Sequence, residues 1–137
     1  MPYNGPLIKL TSERLDPGPL IDTCYRDDCG AIVTFVGTIR NTSKDGKRVK
    51  SLKIDVCDVD AEKKLAGIAS EAYQKWPLKK IVMHRRFGTL KVGEIALVVV
   101  IAAPRRVEAF EACQYIIDRV KEGDITAEED IYDTGDI

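Results

Sequence analysis

Residues 94–103 constrain the fold of this chain more than any other stretch. The segment reads EIALVVVIAA, and after its first residue it contains no polar side chain. A strand with one solvated face alternates apolar and polar residues, whereas a continuous apolar run of this length is typical of a strand covered on both faces. The sequence therefore predicts a buried strand here, with other parts of the chain packed against both of its faces.

The other strands are predicted from alternation and from enrichment in β-branched residues. They are expected at 30–40, 51–57, 79–88 and, less clearly, in the segment PLIKLTS near the N-terminus. Residues 41–50 are polar and contain Asp45-Gly46, a turn signal, so we expect a long and mobile hairpin loop there.

Two long helices are predicted from apolar residues spaced three and four apart. The first begins at Asp60, a plausible N-cap, and ends at Lys75; the second begins at Pro104 and stops at Gly123. A short helix is expected to begin at Asp16-Pro17. The order is strand, helix, two strands, helix, two strands, helix and tail, which predicts one α+β domain over residues 1–137 with a mostly antiparallel sheet.

Charge is unevenly distributed along the chain. Residues 122–137 hold seven acids and no Lys or Arg, so residues 1–121 hold 15 acids and 21 bases. A basic body with an acidic tail points to an anionic partner, or to a tail that lies across the body. Nucleic acid is a poor candidate for that partner because the basic residues are scattered over strand ends and the tail opposes binding.

Several classes of protein do not fit this sequence. No apolar run approaches the ~20 residues that span a bilayer, and we see no secretion signal, so a cytoplasmic location is predicted. A metal site is not expected, since the chain has one histidine, His84, and no zinc-type cysteine spacing. The four cysteines are interpreted as free thiols; they are Cys24, Cys29, Cys57 and Cys113.

Arg105 and Arg106 are unusual because they follow Pro104 in the first turn of a predicted helix. That end of a helix favours anions and disfavours cations, so two arginines beside open amides indicate an anion site. The alternative is that Glu108 and Glu111 neutralise them from one turn further on.

Three other residues have ordinary explanations on spacing alone. Arg40 ends the predicted strand 30–40 and is typical of a solvated rim, whereas Phe35 is expected in the core. Lys121 lies in the last turn of a helix, where the helix dipole stabilises a cation.

Of Arg85 and Arg86, alternation places one on each face of their strand, so at most one of them is expected to join Arg105 and Arg106.

Taken together, three stretches resemble one family. The stretches are GAIVTFVGTIRN (30–41), RRFGTLKVGE (85–94) and RRVEAFEACQYIIDRVK (105–121). They are similar to the large, catalytic subunit of molybdopterin synthase. The segments ERLDPGPLID (13–22) and EAYQKWPLKKIVMH (71–84) also fit, so the resemblance covers nearly the whole chain in order.

This resemblance implies a fold, a reaction and partners. The fold is an α/β-hammerhead with additional, mostly antiparallel strands, and the protein is a homodimer. A small ubiquitin-like sulfur-carrier subunit docks at each end to give a heterotetramer, and its thiocarboxylated C-terminus enters a pocket. Two sulfurs are transferred to cyclic pyranopterin monophosphate, which yields the molybdopterin dithiolene of the molybdenum cofactor. No cofactor is implied for this step.

Functional positions of the family fall on six residues. Its pocket phenylalanine and arginine match Phe35 and Arg40. Arg105 and Arg106 stand where a His-Arg pair reaches in from the neighbouring protomer, and Arg105 replaces the histidine. Lys121 matches the first catalytic lysine, and Ile117 is included among the substrate-binding residues.

The family's second lysine does not match this sequence. Glu128 stands in its place, and Ala127 stands where the family has an aromatic residue. An alternative function is therefore a catalytically impaired relative that binds the carrier or the pterin.

Overall fold

The computed structural model describes residues 2–122 and 124–134. Its strands are β1 (Ile8–Thr11), β2 (Ala31–Thr38), β3 (Val49–Val56), β4 (Lys80–Arg86), β5 (Gly88–Lys91), β6 (Ile95–Ala103) and β7 (Thr126–Tyr132). Its helices are α1 (Pro17–Asp22), α2 (Ala61–Lys75) and α3 (Arg106–Glu122). The predicted helix stop at Gly123 lies outside the described residues.

The strands form two sheets. The larger has the order β1-β4-β6-β2, and the smaller has the order β5-β3-β7. Pairing is antiparallel throughout except between β1 and β4, which run parallel. The predicted α+β class with mostly antiparallel strands is confirmed.

Strand β6 is buried on both faces, as its apolar run predicts. Its odd-numbered residues from Leu97 to Ala103 pack in the core beneath α2 and α3. Val98, Val100 and Ala102 point into a second core that contains Leu20 of α1. Each face of the central strand is thus covered by a different part of the chain, which explains why no polar residue interrupts it.

The small sheet contains the main departures from the predicted strands. The predicted strand 79–88 divides into β4 and β5, and Gly88 at the junction has a φ of 113° that residues with a Cβ rarely adopt. The acidic segment predicted as a tail contains β7, whose Glu128 is opposite Ile54 of β3. Local composition did not reveal β7, because its backbone finds a partner only through the long-range edge of β3.

Helix boundaries agree with the predictions to within one or two residues. Helix α3 begins at Arg106 rather than Pro104, and α2 ends at Lys75 as predicted. Asp60 occupies the N-cap position of α2, but its side chain makes no capping hydrogen bond. Its own backbone N–H donates to Asp58 Oδ1 at 2.7 Å instead.

No helix in the described part of the chain is long and apolar enough to cross a membrane. The cytoplasmic location stays a prediction. The four cysteines are free thiols in the structure.

Candidate functional site

An open groove of about 1080 Å³ lies between the two sheets. Residues 35–40 at the end of β2 form one wall, and β7 with the last turn of α3 forms the other. Residues 42–45 lie at its rim. Four cations and three carboxylates line it: Arg40, Lys44, Arg85, Lys121, Asp45, Glu128 and Asp130. The groove is therefore charged, with cations in slight excess.

Lys121 reaches the groove from the last turn of α3. Its Nζ donates to Glu128 Oε2 at 3.0 Å, and its side chain is about half exposed. The position at the negative end of the helix dipole stabilises the ammonium group. The ordinary explanation of Lys121 as a helix-end cation is thus correct, and the same residue also faces a cavity.

Arg85 is a buried arginine behind the same carboxylate. Its side chain is 1% exposed, and Nη2 donates to Glu128 Oε2 at 2.9 Å and to Thr126 Oγ1 at 3.1 Å. Nη1 makes a longer bond, 3.4 Å, to the carbonyl of Ala96. Its Nε is buried without a hydrogen-bond partner among the described residues. A buried charge needs a counterion, and Glu128 provides it.

Sequence reasoning did not assign Arg85 to this site. Alternation correctly placed Arg85 and Arg86 on different faces of β4. Arg86 pairs with Glu94 at 2.9 Å. Arg85 lines the groove, whereas Arg105 and Arg106 do not. The link between Arg85 and Glu128 requires β7, which the sequence did not reveal.

Glu128 remains ionised in this setting. Burial on its own raises the pKa of the carboxyl, but the hydrogen bond from Arg85 and the positive charge of Lys121 outweigh that effect. The net result is a pKa below the usual value for glutamate. The carboxylate thus bridges two cations, and the three side chains together carry one positive charge.

Phe35 and Arg40 are placed in the groove by β2 and the residues after it. Phe35 is half-buried and packs against the main core while its ring also lines the groove. Phe35 therefore contacts the core, as its position in β2 predicts, and its role as the family's pocket phenylalanine stays a prediction. Arg40 is exposed at the rim, as predicted, and makes no hydrogen bond or ion pair within residues 2–122 and 124–134.

The three other predicted site residues lie away from this groove. Arg105 is 78% exposed and pairs with Glu108 at 3.1 Å, which is the neutralisation considered from the sequence. Glu111 instead accepts a bond from Trp76 Nε1 at 3.2 Å. Ile117 is half-buried against the main core. The resemblance assigns Arg105 and Arg106 to the groove of a second protomer, and that assignment stays a prediction, as does the role of Ile117.

Within the described residues, no group of three or more His, Cys, Asp or Glu side chains is arranged to hold a metal ion. The slight excess of cations among the side chains that line the groove suits an anionic ligand.

Comparisons with known proteins agree on one family. Residues 10–123 match the family model described as MoaE protein. The chain is 37% identical over 128 residues to the molybdopterin synthase catalytic subunit of Thermoplasma volcanium, a match that spans 93% of both sequences. It is 38% identical over 103 residues to the protein of the same name from Halalkalibacterium halodurans, which spans 75% of this chain and 65% of that relative.

A solved structure shares the architecture. The crystal structure of molybdopterin synthase from Staphylococcus aureus matches with a TM-score of 0.86 and 28% identity, over 96% of each chain. This likeness confirms the fold class that the resemblance implied. On the family match over most of its length and on these relatives, the chain belongs to the MoaE protein family.

Proposed function

We propose that this chain is the large, catalytic subunit of a molybdopterin synthase. It transfers sulfur from the thiocarboxylated C-terminus of a small carrier subunit to cyclic pyranopterin monophosphate, and the product is the molybdopterin dithiolene. One observation carries the proposal: Phe35, Arg40 and Lys121, which match functional positions of the family, line the same groove although they are distant in sequence.

The charges in the groove suit this reaction. Both reactants are anionic, a thiocarboxylate and a pterin phosphate, and they must approach each other closely. A nearby cation offsets about 4 kcal/mol of repulsion for a close pair of charges at an effective dielectric constant near 20. In each transfer a carbon–sulfur bond forms on the pterin side chain as a carbon–oxygen bond there breaks. The carbon–sulfur bond of the carrier is hydrolysed, and water supplies the oxygen of the carboxylate that remains. Lys121, at the wall of the groove, is the proposed catalytic cation.

The proposal includes two kinds of partner. The small ubiquitin-like carrier inserts its extended C-terminus between β2 and β7, where the groove is open. A second copy of this chain contributes Arg105 and Arg106, which bind the pterin phosphate together with Arg40. The free guanidinium of Arg40 supports this role, since no carboxylate of the described chain neutralises it.

The impaired alternative rests on Glu128 in place of a lysine. Charge reversal beside a reacting anion would slow the reaction by several decades if it acted alone. Arg85 lies 2.9 Å from the same carboxylate and offsets its charge, so this argument against activity is weakened. We therefore favour the active enzyme.

A reconstitution assay tests the proposal. The protein is mixed with thiocarboxylated carrier and cyclic pyranopterin monophosphate, and the dithiolene product is measured. We expect product with the unchanged protein and a loss on the order of 100-fold with Lys121→Ala. Absence of product from a correctly folded protein that still binds the carrier would favour the binding-module alternative.

A further inference from the structure

The contact between Arg85 and Glu128 has a role that the family resemblance does not assign. The resemblance places a lysine at residue 128 and attributes no function to residue 85. In the structure, one oxygen, Glu128 Oε2, accepts hydrogen bonds from Arg85 Nη2 at 2.9 Å and from Lys121 Nζ at 3.0 Å. Strand β4, strand β7 and helix α3 thus meet at a single atom.

The Arg85 end of this contact is rigid. The guanidinium is 1% exposed, and Thr126 Oγ1 and the Ala96 carbonyl hold its two terminal nitrogens. Because the guanidinium is planar and its donors point in fixed directions, it determines where the carboxylate of Glu128 lies. Glu128 is therefore an anchored acceptor, although its own side chain is 34% exposed.

The Lys121 end is flexible without that acceptor. Its side chain is 48% exposed, and Glu128 is its one hydrogen-bond and ion-pair partner in the described part of the chain. A lysine stem has four methylenes that rotate freely in solvent, and ordering it costs rotamer entropy. An anchored carboxylate restricts the ammonium group to one region of the groove.

We propose that Glu128 is a positioning residue, anchored by Arg85, that holds the ammonium of Lys121 at the wall of the groove. The catalytic consequence rests on the proposed function, whereas the positioning itself does not. Arg85 offsets the charge of Glu128, so Lys121 is held in place while the three side chains together stay cationic toward an anionic substrate. A carboxylate at residue 128 is thus compatible with activity because a buried arginine lies behind it.

Chemical labelling of Lys121 tests the positioning without any assay of activity. The protein is treated with an acetylating N-hydroxysuccinimide ester, and acetylation of Lys121 is followed by mass spectrometry. In Glu128→Gln the ammonium loses its charged partner, and we expect labelling to be about threefold faster or more. Glu128→Ala, which removes both oxygens, is expected to be labelled at least as fast.

Glu129→Gln is the matched control for this experiment. It removes the same charge from the next residue of β7, which does not line the groove. We expect its labelling rate at Lys121 to equal that of the unchanged protein. Equal rates in Glu128→Gln, Glu128→Ala and the unchanged protein would overturn the proposal.

Kinetics separate positioning from a merely structural role. We expect Glu128→Gln to lower kcat about tenfold with little change in the KM for the pterin, because orientation of a catalytic group acts on the chemical step. In a Lys121→Ala background the same substitution should change kcat no further. An equal loss in both backgrounds would refute positioning through Lys121. If Glu128→Gln is labelled faster than the unchanged protein but the unchanged protein makes no dithiolene, positioning is supported and the proposed function is contradicted.

Discussion

Cations stand at both ends of α3, and the fold places the two groups in different surroundings. At the C-terminal end, Lys121 contacts Glu128, which Arg85 anchors from a different sheet. At the N-terminal end, the side chain of Arg105 has only a local partner, Glu108, and the side chain of Arg106 makes no hydrogen bond or ion pair within the described chain.

The difference agrees with the proposed division of the site, in which one chain completes the Lys121 side by itself. The C-terminal lysine is favoured by the helix dipole and is held by tertiary contacts. The N-terminal arginines are disfavoured by that dipole and lie on the surface. Arg105 and Arg106 stand at a position that the helix dipole disfavours, and no side chain from another element of the described chain pairs with them. This arrangement favours a role toward something outside the chain, which agrees with the assignment to a second protomer.

The largest expected effect is the recovery of activity in mixed dimers, in which the substitutions at Lys121 and Arg106 are on different chains. Lys121→Ala and Arg106→Ala are each expected to lower dithiolene formation on the order of 100-fold. When the two variants are mixed and allowed to exchange subunits, half the dimers are mixed and each regains one intact groove. We therefore expect about a quarter of the unmutated activity to return.

The control for this experiment pairs Lys121→Ala with Arg40→Ala. Both residues line the groove of the same chain, so no mixed dimer contains an intact groove. Activity should stay low after exchange. Recovery with Arg40→Ala, or its absence with Arg106→Ala, would contradict the division of the site between protomers.

The next largest effect is on the free energy of unfolding and concerns the contacts at the C-terminal end of α3. Arg85→Met removes the buried guanidinium and leaves Glu128 without its anchor, and we expect a loss of about 2 kcal/mol in the free energy of unfolding. Urea denaturation measures it. Arg86→Met is the comparison, since Arg86 is more exposed and its partner Glu94 stays in contact with water. A loss from Arg86→Met as large as that from Arg85→Met would contradict the special role of the buried residue.

The contribution of Glu128 should depend on pH. Its pKa is lower in the folded protein than the unperturbed value of 4.5, so its ionised form stabilises the fold above that value. As the pH falls through the folded-state pKa, the carboxylate is protonated and the contribution is lost. The stability difference between the unchanged protein and Glu128→Gln is thus expected to be present at pH 7 and to vanish in acid. A difference that is constant from pH 7 to acid would exclude an ionic origin.

The smallest expected effect on stability concerns the N-terminal end of α3. Arg105→Ala removes an exposed ion pair and also relieves the unfavourable interaction with the helix dipole. The two terms nearly cancel, so we expect a change of at most about 0.5 kcal/mol in the free energy of unfolding, measured by urea denaturation. A loss near that of Arg85→Met would show that Arg105 stabilises the fold of its own chain.

Local patterns were sufficient for much of the fold. The apolar run of β6 predicted burial on both faces, and the spacing of apolar residues predicted α2 and α3 to within two residues. The resemblance to a family placed Phe35, Arg40 and Lys121 at one site, and these three residues line one groove. Composition did not predict β7, because EED within ITAEED favours a solvated segment over a strand.

The sequence by itself determined the central strand and the helices, because these depend on residues that are close together along the chain. It also determined the positions of the cations, which follow from the motifs of a family. The tertiary structure alone decided what the carboxylate at residue 128 does. Arg85 and Glu128 are 43 residues apart and meet because β7 pairs with β3 and thereby places Glu128 over the end of β4. A contact between two sheets has no periodicity along the chain, so the partner of a buried charge is known only when the chain is folded.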